Sequence, residues 1–569
     1  MEAHAARAAT TFIPGALHAR ARGETTTQAG EEPPVSSDYG TRGDMKKIVG
    51  ILIAFAIFII VLYGYIIPLQ GGLISSTAIR ADDLSEADPR FEEQLPIQEV
   101  DLGPSGRSIF IAFVMLTHIL FANLHLGGAW VLLSLIILYL FSRKERYSHL
   151  GKSVALFNVI LFSAGATFAA AGVLFFISLY PTFAAQGFHI YWWPLLVEAT
   201  LFGIEIFFVY TLWFTWARIG AIWHVLLGVG YALSIYFQTL AIDTFVSGML
   251  TPGEETITWG EPGLLGMPWI DYLQWWFNPT LWPLQSHRVA AAISFFGFLI
   301  AFLAVLHYHD RTDPPSRRYW DWACSFGILW GLAGLIAQPL LGVWYMYAIF
   351  AHQHQAFANI MTGPRAWEML MMVGFISLLV ITASVYFIER RERLLIRLGR
   401  RDIRRLLRIF AIAAAVAGLV LVQPAWLGGI MQADPGAWAN PFGLMYYKHI
   451  ALLVLVAIGA IIIGIDLLVL RGRRDEEWGN LSRASWAAAL ITGILGSWIV
   501  MIMGYVRESA RSPWLFYKIV PVPGGQTYPT PVPPQQILVV WLIGLGLAFA
   551  AFWFTFRVTS YHPEREEEV

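Results

Sequence analysis

Five histidines lie inside or at the ends of long apolar stretches of this sequence: His118, His125, His224, His287 and His449. An ionisable group in such a place is unfavourable by several kcal/mol unless it is paired or coordinated, so each one is a candidate for function. A neutral imidazole either completes a hydrogen bond between helices or gives a nitrogen to a metal ion. These five side chains are therefore the first candidates for chemistry.

His287 and His449 each stand about one turn into an apolar stretch, in FNPTLWPLQSHRVAAAIS and PFGLMYYKHIALLV. If the two stretches cross a membrane in the same direction, the two imidazoles lie at similar depth on different helices. A six-coordinate, low-spin heme b requires that arrangement, with the porphyrin between helices of a bundle. The alternative is that each is an interfacial histidine hydrated at the membrane surface.

His118 and His125 are seven residues apart in LTHILFANLHLGG, which places them on nearly the same helix face, two turns apart. A buried neutral His118 needs a partner for each ring nitrogen, and Thr117 and Asn123 can supply only part of this requirement. We therefore expect His118 to be the better candidate for a metal ligand. For His125 we expect a hydrogen bond to another helix.

Two carboxylates, Glu198 and Glu205, are also seven residues apart, in VEATLFGIE. They could pass protons toward a buried redox site, or be neutral packing residues with hydrogen bonds. Asp243 and Asp466 are single acids with weaker claims. Metals other than heme iron are not expected, because no paired HxxxH or ExxH set occurs at this depth. The single cysteine, Cys324, excludes a disulfide framework, a cysteine-ligated iron–sulfur cluster and c-type heme attachment.

Apolar helices must position these residues. The chain has 569 residues, of which 57% are hydrophobic and 14% are charged. Apolar runs of about 20 residues, the length that crosses a hydrocarbon core about 30 Å thick, recur along it. They predict an all-α, polytopic membrane bundle of about 12 transmembrane helices. The predicted spans are 48–68, 108–141, 153–181, 194–217, 222–249, 286–309, 322–350, 366–389, 407–432, 447–470, 483–506 and 535–557.

Every second loop between these spans is basic, namely 142–152, 307–321, 389–408 and 471–480. The positive-inside rule places these loops in the cytoplasm, so we expect a multi-pass protein of a bacterial-type cytoplasmic (inner) membrane. The formal net charge of -1 gives no indication of a nucleic-acid partner. The lipid bilayer is the expected environment.

The N-terminal part differs in composition from the rest. Residues 1–44 are polar and rich in Ala, Thr, Arg and Gly, which predicts a disordered segment. MKKIVGILIAFAIFIIVLYG follows, so 45–70 is expected to be a membrane anchor or a signal-like helix. Met45 is then a candidate for the true start of translation.

Five stretches of the sequence share their order, spacing and sidedness with one known family. They are GRSIFIAFVMLTHILFANLHLGG, LVEATLFGIEIFF, ARIGAIWHVLLGVGYALSIYFQTLAIDTFVSGMLTP, FNPTLWPLQSHRVAAAIS and GYVRESARSPW. The chain resembles subunit I of the cytochrome bd quinol oxidases over most of 105–350 and 445–557, as a divergent member. The resemblance implies a bundle with two or more hemes b, leaves the presence of heme d open, and implies quinol and a second membrane subunit as partners.

The resemblance also implies roles for individual residues. His118 takes the position of the family's high-spin heme ligand, and His287 takes that of the low-spin heme b ligand. Glu198 takes the position of a membrane-buried glutamate. His224 matches a histidine of the family in the third stretch. In the last stretch the matched residues, which the family places near the hemes, are Arg507, Glu508, Arg511 and Trp514.

Two ligand positions depart from the family pattern. Where the family has a glutamate ligand this chain has Ile502, flanked by Met501 and Met503; a second alignment puts Gln423 on that glutamate instead. In the family, the second ligand of the low-spin heme is a methionine. In this chain, His449 lies within one residue of that position. A bis-histidine heme would have a lower reduction potential than a His/Met heme.

The family's long quinol-binding loop is also missing from this chain. In its place, 351–432 is expected to carry two extra transmembrane helices, so that 105–350 and 433–569 hold the helices resembling the family. The loop is where the family binds its donor. The donor of this chain is therefore expected to be either a quinol or a redox protein on the outer side.

Three functions are compatible with these observations. The first is a heme b-containing electron-transfer subunit of a cytochrome-bd-like respiratory oxidoreductase, with oxygen reduction left open. The second is a heme electron carrier, without oxidase activity, between the quinone pool and a partner complex. The third is a proton-coupled transporter of 12 spans, although no pair of interrupted spans typical of transporters is present.

Overall fold

The computed structural model describes residues 103–216, 218–253, 273–361, 366–422, 446–469, 478–511 and 514–521, together with Gly546 and Ala550. All of them belong to one compact unit, residues 47–569. The predictions for 1–44, 45–70 and Gln423 lie outside the described residues. The helices are α1 (Gly103–Ser142), α2 (Glu145–Leu179), α3 (Pro181–Ile190), α4 (Trp192–Phe214), α5 (Ala221–Gly248), α6 (Leu273–Trp276), α7 (Leu281–Asp310), α8 (Pro314–His352), α9 (His354–Met361), α10 (Ala366–Arg397), α11 (Arg401–Val422), α12 (Tyr446–Gly464) and α13 (Arg483–Ala510).

The prediction of an all-α polytopic membrane bundle is confirmed. Within the described ranges, nine helices are long and apolar enough to cross a membrane: α1, α2, α4, α5, α7, α8, α10, α12 and α13. They coincide with nine of the predicted spans. The spans at 48–68 and 535–557 lie outside the described residues. The span at 407–432 begins within α11 and continues past the last described residue of that helix.

Helix α7 forms the centre of the bundle, packed against α1, α5, α8 and α13. Glycines allow its backbone to approach its neighbours closely. A Cβ added to Gly297 would lie 2.3 Å from the backbone nitrogen of Gly331 on α8, and one added to Gly127 on α1 would lie 2.0 Å from the carbonyl oxygen of Ala292. Larger residues at these positions would push the helices apart, so the glycines set the spacing around α7.

Contacts at one end of the bundle, here called the inner end, join the basic loops. Arg390 Nη2 donates to Asp321 Oδ2 at 2.6 Å, and Arg390 Nη1 donates to the carbonyl of Asn480 at 2.9 Å. The Arg146 guanidinium lies 5.0 Å above the Trp322 ring. All four predicted basic loops therefore meet at this end, as the alternation of loops requires.

The opposite, outer end is closed by short elements and buried aromatic rings. A two-stranded antiparallel sheet, β1 (Trp514–Phe516) and β2 (Val520–Pro521), follows α13. Phe516 of this sheet packs against Tyr191 and Trp275, with ring centroids 6.2 Å and 6.0 Å away. The Tyr517 N–H donates to the carbonyl of Met249 at 3.0 Å, which ties the sheet to the end of α5.

Candidate functional site

A cavity of about 560 Å³ opens in the outer half of the bundle, between α7, α8, α10, α12 and α13. This volume lies in the range of sites that bind cofactors and other small molecules. His287 and His449, the predicted pair, both line the cavity. The remaining wall is mostly Leu, Ile, Val, Phe and Met, so a large apolar ligand would be held away from water. We call this space the outer cavity.

His287 stands on the second turn of α7, which begins at Leu281. Gln338 Nε2 of α8 donates to the His287 carbonyl at 3.0 Å, fixing the backbone against the neighbouring helix. Neither ring nitrogen forms a hydrogen bond with any residue that the structure describes. A Cβ added to Gly342 would lie 3.7 Å from His287 Nε2. The glycine therefore leaves free the space that a group bound to this nitrogen needs.

Polar contacts with α5 hold the start of α7 in place. Arg288 Nη2 lies 2.9 Å from Asp243 Oδ1, and Asp243 is fully buried. Asn278, just before α7, donates to Ser247 Oγ at 2.8 Å and accepts from Thr251 Oγ1 at 3.1 Å. These contacts position His287, because they fix the start of α7, which carries it, against the end of α5. Asp243, given a weak claim from the sequence, is thus a positioning residue.

His449 lies in the first turn of α12. Its Nδ1 atom is buried and has no hydrogen-bond partner among the described residues. A buried, unpaired polar atom is unfavourable, by about 1–3 kcal/mol for a neutral group. The neighbouring Lys448 Nζ donates to the carbonyl of Leu421 at 2.8 Å. The Lys448 ammonium group therefore holds α12 against α11, while the His449 ring lines the outer cavity.

Three cations line the outer cavity, namely Arg288, Lys448 and Arg507. Arg507 Nη1 donates to Glu508 Oε1 at 3.0 Å, and Arg507 Nη2 donates to the carbonyl of Val246. Cations beside an apolar cavity suit a ligand that combines a large apolar body with carboxylates. Two imidazoles, an orphaned Nδ1, the space over Gly342 and these cations fit a bis-histidine heme b.

The methionines predicted near this site have different places. Met503 lines the outer cavity, whereas Met501 is 1% exposed and packed in the main core. Ile502, at the position of the lost carboxylate, is fully buried and apolar. The structure therefore brings Met503, but not Met501, to the pair of histidines.

His118 does not line the outer cavity, although its neighbours Ile119 and Asn123 do. Its Nδ1 atom lies 3.0 Å from the carbonyl oxygen of Gly165 on α2. A hydrogen bond from Nδ1–H to a backbone carbonyl fixes the tautomer in which Nε2 is free to bind a metal. His118 thus faces α2, on a different side of α1 from the outer cavity.

His125, Glu205 and Tyr231 form a closed cluster between α1, α4 and α5, here called the His125 cluster. His125 Nε2 lies 2.5 Å from Glu205 Oε1, and the Tyr231 hydroxyl lies 3.2 Å from both ring nitrogens. The exposed fractions of the three residues are 5%, 1% and 0%. The expected hydrogen bond from His125 to another helix is therefore present, and Glu205 is its partner.

The other predicted residues lie away from the outer cavity. Glu198 Oε1 accepts a hydrogen bond from Gln238 Nε2 of α5 at 3.1 Å. Glu198 and Glu205 lie two turns apart on α4. His224 packs against the Trp216 ring at 5.0 Å, and its Nε2 is buried without a partner among the described residues. Arg511 Nη1 donates to the carbonyl of Trp514 at 2.8 Å. Arg511 therefore orders the outer sheet.

Sequence reasoning missed Asn278 and Gly342. The Asn-Pro pair in FNPTLW marked a turn before the helix, which is the signal that could have identified Asn278. Gly342 gave no such signal, because its role depends on its distance from His287. Among the described residues, no group of three or more His, Cys, Asp or Glu side chains could hold a metal ion without a cofactor.

Comparison with known proteins identifies one family. Residues 107–563 match the profile of the family described as cytochrome bd terminal oxidase subunit I. No curated protein matches the chain. Among solved structures, the chain is similar to one described as the structure of bd oxidase from Geobacillus thermodenitrificans. That similarity has 18% sequence identity and a TM-score of 0.37, and it covers 71% of this chain and 97% of the other.

Proposed function

The chain belongs to the cytochrome bd terminal oxidase subunit I family, and on that premise we propose that it is the heme b-containing electron-transfer subunit of a cytochrome-bd-like respiratory oxidoreductase. Membership implies heme cofactors and a complex with other subunits. One observation carries the proposal for this chain: His287 and His449, on helices α7 and α12, line the same cavity.

Specific residues would hold the low-spin heme b. His287 and His449 would bind its iron, and its carboxylates would lie beside Arg288, Lys448 and Arg507. Bound there, the heme supplies a one-electron carrier. Asp243 and Asn278 keep His287 in position through α5, and Gly342 leaves room beside its Nε2. Met503 adds an apolar, polarisable contact to the wall.

His118 would hold a second heme, with its Nδ1–H donated to Gly165 and its Nε2 free. Glu198 and Glu205 would hold protons at their carboxyl oxygens, at two levels of α4 beside the helix that carries His118. Glu205 can exchange a proton with His125 across 2.5 Å. His224 lies closer to the inner end, at the start of α5, where it would accept protons entering from that side.

The surroundings of the subunit follow from the same proposal. The donor would be a quinol or a redox protein that reaches the outer end, close to the cavity and to Arg511 and Trp514. A second membrane subunit would cover part of the bundle. The protein would lie in a bacterial-type cytoplasmic membrane with its basic loops on the cytoplasmic side. Segment 351–432, with α10 and α11, would replace the quinol loop.

A reduced-minus-oxidised absorption spectrum of the purified protein tests this function. We expect a low-spin heme b signal that disappears in His287→Ala and in His449→Ala. The matched control is His307→Phe, because His307 stacks on Trp320 at 4.5 Å near the inner end and away from the cavity. Absence of any heme signal in the wild-type protein would refute the proposal and favour the proton-coupled transporter.

One observation favours a second candidate, a heme electron carrier without oxidase activity. Ile502 is fully buried at the position where the family has a carboxylate ligand, so the iron near His118 would lack that ligand. Oxygen uptake with a quinol donor separates the two functions. Uptake that depends on His118 supports the oxidase, and its absence in a protein with full heme content supports the carrier.

A further inference from the structure

The C-terminal part of α10 and the first turns of α11 are rich in arginine, and several of these arginines contact acids. Arg390 pairs with Asp321 at 2.6 Å and Arg391 with Asp466 at 2.5 Å. Arg400 pairs with Asp402 at 3.1 Å, and Arg404 and Arg408 share Glu392. These cations therefore have carboxylate partners within the protein.

Arg401 and Arg405 differ from these neighbours. Both are exposed, and neither side chain pairs with an acid in the part of the chain that the structure describes. They stand four residues apart at the start of α11, so they lie one above the other on one helix face. Two positive charges are thus held side by side with no counter-charge from the described protein.

The same face of α11 becomes apolar immediately above the two arginines. Ile409, Ile412 and Val416 continue the stripe at spacings of three and four residues, and their exposed fractions are 53%, 67% and 55%. The stripe therefore changes from cationic to apolar along the helix axis. A phospholipid has the same order of groups across the edge of a membrane.

A groove beside this stripe has room for an apolar chain. It has a volume of about 480 Å³ and is lined only by apolar residues of α11, from Ile409 to Val420, and of α12, from Ile450 to Val454. At 1.5 Å per residue, the α11 wall is about 16 Å long, which is close to half of a hydrocarbon core about 30 Å thick. The groove therefore begins one turn after Arg405 and runs along α11 toward the outer end, where Ile450 to Val454 of α12 form its second wall.

We propose that α11 and α12 form a binding site for an anionic phospholipid, with the phosphate between Arg401 and Arg405 and an acyl chain in the groove. Guanidinium groups bind phosphate oxygens with two hydrogen bonds at a time, and exposed cations beside a membrane helix attract anionic headgroups. The lipid fills a gap between two helices that would otherwise expose apolar surface on both walls. This site depends on neither heme nor electron transfer.

Lipid binding to the purified full-length protein tests the proposal. The probe is phosphatidylglycerol, compared with phosphatidylcholine, and native mass spectrometry counts the lipids that the protein retains. Each charge at a membrane surface contributes about fivefold to affinity. The double variant Arg401→Gln/Arg405→Gln is therefore expected to bind phosphatidylglycerol about 25-fold more weakly, with unchanged retention of phosphatidylcholine.

The matched control is Arg143→Gln/Lys152→Gln, which removes two exposed positive charges from a basic loop at the same end of the bundle. It is expected to bind phosphatidylglycerol like the wild type. A second test variant, Ala413→Phe, fills the groove but keeps both arginines, and it is expected to lose most of the selective retention. Thermal unfolding in detergent without phosphatidylglycerol should be the same for all variants, which shows that they fold.

Three results would overturn the proposal. The first is equal wild-type affinity for the two lipids. The second is an unchanged affinity for phosphatidylglycerol in the Arg401/Arg405 double variant. The third is a co-purified protein subunit that cross-links to a photoreactive residue at position 412 and excludes lipid, which would assign the groove to a partner helix.

Discussion

The outer cavity and the His125 cluster both place histidine inside the bundle, but they use its nitrogens in different ways. In the His125 cluster, Nε2 lies 2.5 Å from Glu205 Oε1, and the Tyr231 hydroxyl lies 3.2 Å from each ring nitrogen. In the outer cavity, His287 makes no ring hydrogen bond to a described residue, and His449 Nδ1 has no hydrogen-bond partner among the described residues. A satisfied imidazole stabilises the protein, whereas an unsatisfied one beside a cavity is available for a ligand.

The largest expected effect concerns the stability of the heme-free protein. His125→Ala leaves the buried Glu205 carboxyl group without its hydrogen-bond partner and opens a cavity, which together lower the free energy of unfolding by about 3 kcal/mol. His287→Ala removes no hydrogen bond of the ring and is expected to change it by less than about 1 kcal/mol. Thermal or denaturant unfolding of both variants in one detergent, with heme removed, measures the difference. Equal destabilisation would contradict the distinction between the two sites.

The second effect is on the reduction potential of the cavity heme. His449→Met changes bis-histidine ligation to His/Met ligation, which raises the potential, on the order of 100 mV. The physical reason is that the thioether donates less charge to the ferric iron than an imidazole does. Spectroelectrochemical titration of the low-spin signal measures the shift. His125→Gln is the control, and it should leave that midpoint within about a tenth of the shift.

The third effect is on heme retention. Gly342→Leu places a side chain beside His287 Nε2, and overfilling such a space is unfavourable by about 2 kcal/mol, or about 30-fold in affinity. Gly203→Leu is the matched control, because a Cβ at Gly203 meets no atom within 4 Å. Heme content after a fixed dialysis against apomyoglobin measures the loss. Retention equal to that of the control would show that the heme does not occupy the space over Gly342.

The smallest expected effect is on the free energy of unfolding when Tyr231 of the His125 cluster is changed. Tyr231→Phe removes one hydroxyl while keeping the ring beside His125, and the loss of a buried hydrogen bond lowers the free energy of unfolding by about 1 kcal/mol. The His125–Glu205 contact remains in this variant. The low-spin heme signal should be unaffected. A change in that signal would mean that the cluster and the outer cavity act as one site.

The sequence predicted the fold because the relevant signals are local. Nine predicted spans coincide with described helices, since length and hydropathy alone mark a helix that must cross a membrane. The ends were less predictable: α2 begins at Glu145 and α8 at Pro314, several residues before the predicted spans at 153 and 322. In both cases the helix continues into the polar loop, where hydropathy gives no signal.

The site was predictable only in part, for a physical reason. His287 and His449 were identified from their position in apolar stretches, and the structure places both on one cavity. The partner of His125 was not predicted, because Glu205 lies 80 residues away in the chain and its side chain reaches His125 only in the folded bundle. Gly342 likewise has its effect because it lacks a side chain, which leaves space beside His287 on another helix. Such contacts depend on tertiary packing, which no local pattern encodes.

The last prediction concerns the two side chains that bind the iron of the proposed cavity heme. Near-infrared magnetic circular dichroism of the oxidised protein has a charge-transfer band whose position reports the pair of ligands on low-spin ferric heme. Ligation by His287 and His449 predicts the bis-imidazole band in the wild type and its loss in both His287→Ala and His449→Ala. A wild-type band of His/Met ligation, or a bis-imidazole band that survives His449→Ala, would contradict it.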